Sequence, residues 1–134
     1  MLNLRIEHFG HTGTLSQELV DFARRQLVNA VMYKGDERRR DQRYPMMVPV
    51  LVVAVDEDNQ PIGETIEVIS RDVANNSIGL FHTDKITAKR LAIHMLLANT
   101  EVNLVIEVTW EGPQGPFRGF GGRYVDRLDA FPGV

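Results

Sequence analysis

The chain has 134 residues, 43% of them apolar and 25% charged, which is the make-up of one soluble globular domain with a real core. A formal net charge of −3 argues against whole-molecule attraction to nucleic acid or to an anionic membrane. The absence of cysteine removes disulfides, thiolate metal sites and thiol nucleophiles, and fits a reducing cytoplasm.

No run approaches the roughly 20 apolar residues that a membrane-spanning helix needs. The first residues, Met1 to His8, lack the basic-then-apolar pattern of a secretory signal. A cytoplasmic protein is the expectation. Leu2, Leu4 and Ile6 alternate with polar residues and predict a short strand, ended by the turn at Gly10–Gly13. Thr14 and Gln17 have capping-box spacing and open a helix. Leu15, Leu19, Phe22, Leu27 and Ala30 recur on one stripe of it, and Gly35 can close it. Such a helix either covers its own core or pairs with a partner, a second copy of the chain included. Packing necessity favours the first. Residues 1–36 are thus read as an N-terminal extension.

Next comes the run Glu37-Arg38-Arg39-Arg40-Asp41-Gln42-Arg43, with four arginines in six positions. In an acidic chain this suggests a local anion site. The acids Asp36, Glu37 and Asp41 leave open a solvated, self-paired stretch. From Val48 the pattern turns to strands. Val48–Val55, Thr65–Ser70 and Ile78–His82 are separated by polar turns at Asp56–Pro61 and Asp72–Ser77. Residues 86–99 combine good helix formers with strand-like alternation of Leu91, Ile93, Met95 and Leu97. Val102–Trp110 is a strand, Glu111–Pro116 a Gly/Pro turn, and Phe117–Leu128 returns. Five or six short strands with tight turns predict a mainly β fold, a small barrel or sandwich. Residues 129–134 read as a frayed tail.

Two pieces then fit together. Arg39-Arg40-Asp41-Gln42-Arg43 has the form RxxxR just before a Pro-containing strand. About thirty residues later, at a strand end, stands Asp72-Val73-Ala74-Asn75-Asn76-Ser77-Ile78-Gly79. Together they resemble the PilZ domain, a bacterial receptor module for cyclic diguanylate (c-di-GMP). In that family an RxxxR loop precedes the first barrel strand and a [D/N]xSxxG turn follows the second. The resemblance spans residues 37–128. It implies a six-stranded antiparallel β-barrel, here with an N-terminal amphipathic helix. Arg39 and Arg43 satisfy the first motif, and Arg38 and Arg40 flank it. In the second, Asp72 keeps the acidic position, Ala74 stands in place of serine, and Ser77 in place of glycine. A shifted register, Asn75-x-Ser77-x-Gly79, restores the Asn and Ser but is one residue short before the glycine.

The resemblance implies that Arg38, Arg39, Arg40, Arg43, Asp72, Ala74 and Ser77 line a c-di-GMP site. Guanidinium suits phosphate oxygens, a guanine O6/N7 edge and base stacking. A carboxylate accepts from guanine N1–H and N2–H₂, and a serine hydroxyl and a glycine backbone let the ligand close in. Ala74 lacks that hydroxyl, and Ser77 is expected to resist a positive φ.

Other chemistry finds little support. His8, His11, His82 and His94 have no metal-ligand spacing, and no serine sits in a nucleophile elbow. Gly119–Gly122 lacks the Lys-Ser/Thr of a phosphate loop and reads as a join between strands. Trp110 and Phe120 read as core. The expected function is non-enzymatic, with no cofactor and no metal: a c-di-GMP receptor that reorders its arginine loop and signals to an unidentified protein partner. The alternative is a degenerate PilZ-like domain that no longer binds nucleotide and acts through protein contacts.

Overall fold

A computed structural model of the chain describes residues 15–32 and 43–133. The expected strand near residues 2–6, and Arg38, Arg39 and Arg40, lie outside these described residues. Helix α1 spans Gln17–Met32. Ser16 caps it, its Oγ accepting the Leu19 N–H at 3.1 Å, so the cap lies two residues beyond the expected Thr14.

Among the described residues seven strands follow: β1 Tyr44–Pro45, β2 Pro49–Ala54, β3 Ile66–Val73, β4 Ser77–His82, β5 Arg90–Leu97, β6 Thr100–Gln114 and β7 Phe117–Arg127. All pairings are antiparallel, in the order β1-β3-β2-β5-β6-β7-β4. A β3–β4 pairing closes the last six into a barrel. This is the six-stranded PilZ-like barrel with an N-terminal helix that the sequence implies. The short β1 continues the line of β2 along the same edge of β3, after a break at Met46–Val48.

Residues 86–99 resolve as strand β5, turning into β6 through Ala98 and Asn99, both at positive φ. Helix propensity lost there because Leu91, Ile93 and Met95 fill the barrel while Ala92 packs outside, a period of two. The Gly/Pro stretch expected as a turn from Glu111 is mostly strand. β6 runs on to Gln114, and only Gly115 and Pro116 turn. Gly119–Gly122, expected to join strands, lies inside β7.

Val50, Val52, Val68, Ile78, Leu80, Leu91, Ile93, Met95, Ile106 and Phe120 form the barrel core. Two caps cover its outside. Leu19, Val20, Phe22 and Ala23 of α1 pack on Ile69 of β3 and Phe81 of β4. On the opposite side Leu128, and Phe131 from the tail read as frayed, pack on Val53, Ala92 and Val105. The helix therefore uses its apolar stripe on its own barrel. Among the described residues no helix is long and apolar enough to cross a membrane.

Candidate functional site

Asp72 is the hub of the outer face that α1 leaves uncovered. It lies near the end of β3, half-buried, and two arginines hold it. Arg43 Nη1 approaches Oδ1 at 3.3 Å and Arg71 Nε approaches Oδ2 at 3.0 Å. Arg43 and Asp72 are 29 residues apart in sequence, and the short β1–β3 pairing brings them together.

Ser70 anchors that pairing. It is 1% exposed, its Oγ donates to Met46 O at 2.6 Å, and it accepts the Val48 N–H at 2.9 Å. One hydroxyl thus satisfies both backbone groups where β1 breaks from β2. Arg43 Nε is buried with no hydrogen-bond partner among the described residues.

The floor beside Asp72 is built from glycine. Cross-strand partners run in one row, Pro45, Asp72, Gly79, Gly121 and Trp110, over strands β1, β3, β4, β7 and β6. Same-row residues share a face of the sheet, so Asp72 and Trp110 flank a floor two strands wide without side chains. Cβ atoms there would collide. At Gly79 one would lie 2.9 Å from both Asp72 Oδ1 and Arg71 Nη2, and at Gly121 it would meet Ile78 O and the Trp110 indole. The arginine and the indole occupy the space that the two glycines leave. Arg71 stacks over Trp110 at 4.7 Å from the ring centroid, and its Nη1 reaches Gln114 Oε1 at 3.4 Å.

The turn after Asp72 is tighter than the sequence suggests. Asp72 and Val73 belong to β3 and Ser77 to β4, leaving Ala74–Asn76 as the turn. Ala74 N–H donates to Ser77 O at 2.9 Å. The Tyr124 hydroxyl lies 3.0 Å from Ala74 O and 2.9 Å from Ser77 O and shares its hydrogen between them, while Tyr124 N–H donates to Asn76 O at 3.0 Å. Ser77 has no positive φ, so the strain expected there does not arise. Ala74 is buried at 5% exposure with both backbone groups bonded, and it needs no hydroxyl to hold the turn.

Burial, then the Asp72 carboxylate, push the Tyr124 phenol up to about 12, with Arg43 opposing. A raised acid favours folding while protonated, so this contribution is full below the ordinary tyrosine value of 10.0 and is lost as pH rises from there to about 12. An ultraviolet titration should show a late tyrosine step, and Tyr124→Phe should abolish it. Ionisation of every tyrosine near pH 10 in the folded protein would contradict this tether.

Of the expected residues, Arg43, Asp72, Ala74 and Ser77 thus lie around one turn. Arg38, Arg39 and Arg40 fall outside the described residues. Sequence reasoning missed Arg71, Gly79 as a floor residue, Tyr124, and Trp110 as an outward-facing side chain. The cue for Trp110 was present in Gly119 and Gly121, whose i,i+2 spacing clears one face of a strand.

No family model matches the chain, and no curated protein matches it. Among solved structures it is similar to the Bacillus subtilis inhibitor of motility MotI/DgrA, with a TM-score of 0.52 and 14% identity. The match covers 70% of this chain and 45% of that one, so the chain spans less than half of that protein. At this identity the likeness is one of fold.

Proposed function

We propose that the chain is a c-di-GMP-binding receptor module, non-catalytic, whose arginine segment reorders on nucleotide binding and presents a changed surface to a partner protein. One observation carries this reading. Arg43, the last arginine of RxxxR, meets Asp72, the first residue of the second motif, on the outer face of the barrel. One residue from each expected motif, 29 positions apart in sequence, thus stands beside the other, which supports a two-motif site.

In this reading Arg43 and Arg39 take phosphate oxygens and a guanine face from opposite sides, and Arg38 and Arg40 add positive charge. Asp72 accepts from guanine N1–H and N2–H₂. The buried Arg43 Nε supports the reading, because among the described residues it has no acceptor, and a buried donor without one is uncommon. A ligand phosphate would supply one. Isothermal calorimetry is the test: one-site binding of c-di-GMP is expected, and no heat from folded protein at high-micromolar ligand would sink the proposal.

The second reading, a domain that has lost nucleotide binding and works through protein contacts, draws on Asp72 and Ala74. Both Asp72 oxygens already have arginine partners, and both backbone groups of Ala74 are spent within the chain. The same calorimetry separates the two. A carboxylate with about four lone-pair sites still has capacity beyond two arginines, which favours the first.

A further inference from the structure

Arg71 belongs to neither motif, yet it is the side chain most elaborately housed on this face. Neighbours in a strand normally point to opposite sides of the sheet. Arg71 and Asp72 do not, since Arg71 Nε lies 3.0 Å from Asp72 Oδ2. Arg71 keeps the outward phase of Ile69, and a register shift between Ser70 and Asp72 in the β3–β4 pairing, a bulge, turns Asp72 onto the outer face beside it.

Three further features hold it there. The Trp110 indole supports the guanidinium plane, Gln114 accepts from Nη1, and Gly79 leaves room for Nη2. Nη2 has no acceptor among the described residues, and the side chain is 28% exposed. An oriented fork of donors, partly open to solvent, thus sits directly beside a carboxylate.

That juxtaposition complements one base. Guanine presents N7 and O6 as adjacent acceptors, followed by N1–H and N2–H₂ as adjacent donors. Adenine replaces O6 with an N6–H₂ donor and has no N1–H. Arginine beside aspartate matches the guanine order and opposes the adenine order. Resting on the c-di-GMP reading above, we infer that Arg71 is a specificity-determining residue: its fork takes O6 and N7 of the guanine whose N1–H and N2–H₂ edge Asp72 accepts. Gly79, the glycine after the turn, then serves to seat Arg71 rather than to admit the ligand to the main chain.

The test compares c-di-GMP with its 7-deazaguanine analogue, which lacks only the N7 acceptor. Calorimetry is run on the wild-type chain, Arg71→Lys and Arg71→Gln, each with its melting temperature recorded. The wild type is expected to prefer the parent nucleotide by about tenfold, in line with a good bidentate contact. Both variants should bind the parent more weakly and lose the preference. Lysine keeps the charge and the stem over Trp110 but has no fork, so its loss of preference is not a matter of folding or net charge. Wild type that binds both nucleotides equally overturns the inference and leaves the receptor reading standing. A preference that survives in Arg71→Lys overturns it too, assigning N7 to another group. Wild type that binds neither nucleotide removes the receptor reading itself, and this inference with it.

Discussion

Arg43→Ala is expected to weaken c-di-GMP binding by about thirtyfold or more while the melting temperature moves by only about 2 °C. The two effects separate because Arg43 does different work in the two states. In the free protein it makes one partly exposed ion pair with Asp72, at 3.3 Å, and such pairs contribute about 0–1 kcal/mol. Its loss leaves Asp72 with Arg71, so no buried charge is stranded, and a buried Nε with no partner among the described residues disappears. In the proposed complex the same guanidinium would face a phosphate in a desolvated contact. Removing one side of such a contact costs about 2–5 kcal/mol, and 2 kcal/mol is a factor of about thirty. Calorimetry and a melting scan on the same preparation check it. A large fall in melting temperature would mean that Arg43 is mainly a structural pin.

Phe22→Ala carries the largest expected effect on stability, about 3 kcal/mol or more. Phe22 is 7% exposed, with ring centroids 5.3 Å from Phe81 and 5.2 Å from Phe117. Its ring also rests on Gly115, where a Cβ would lie 2.9 Å from Cε1. Truncation therefore opens a void between helix and barrel that rigid strands cannot close. The loss is a large part of the roughly 5–15 kcal/mol that holds a domain of this size. Chemical denaturation measures it directly. The result also bears on the role of α1. A helix whose apolar stripe served a second copy or a partner would lose little monomer stability on this change, whereas a helix that covers its own core loses the full amount.

The barrel was legible because β-branched and aliphatic residues alternate so regularly. Val50, Val52, Val68, Leu91 and Ile93 announce one face of each strand, and strand length and closure follow from it. The 86–99 segment stayed ambiguous because its residues are good helix formers, and only the pairing of β5 with both β2 and β6 decides against propensity. The cap at Ser16 was misplaced by two residues because Thr14 offers the same chemistry one half-turn earlier.

At the site, Arg43 and Asp72 were legible through the family resemblance. The meeting of Arg71 with Asp72 was not, since the alternation that sends Ile69 and Arg71 outward sends Asp72 into the core. A bulge suspends that rule, and single-sequence periodicity does not show a bulge. Trp110 is hidden for the same reason. A second register shift, between Val108 and Trp110, turns the indole outward, where alternation from Val108 would have put it inside. Ser77, expected to be strained, is ordinary strand, because Asn75 and Asn76 close the turn without any positive φ.

The measurement that bears most directly on the account is a melting scan of the wild-type chain with and without c-di-GMP. Ligand at 100 times its dissociation constant adds about 2.7 kcal/mol, a rise on the order of 10 °C for a chain of this length. That rise is expected for the wild type, and its near-absence for Arg43→Ala at the same ligand concentration. A wild-type melting temperature that does not move at the highest soluble concentration of c-di-GMP would contradict it.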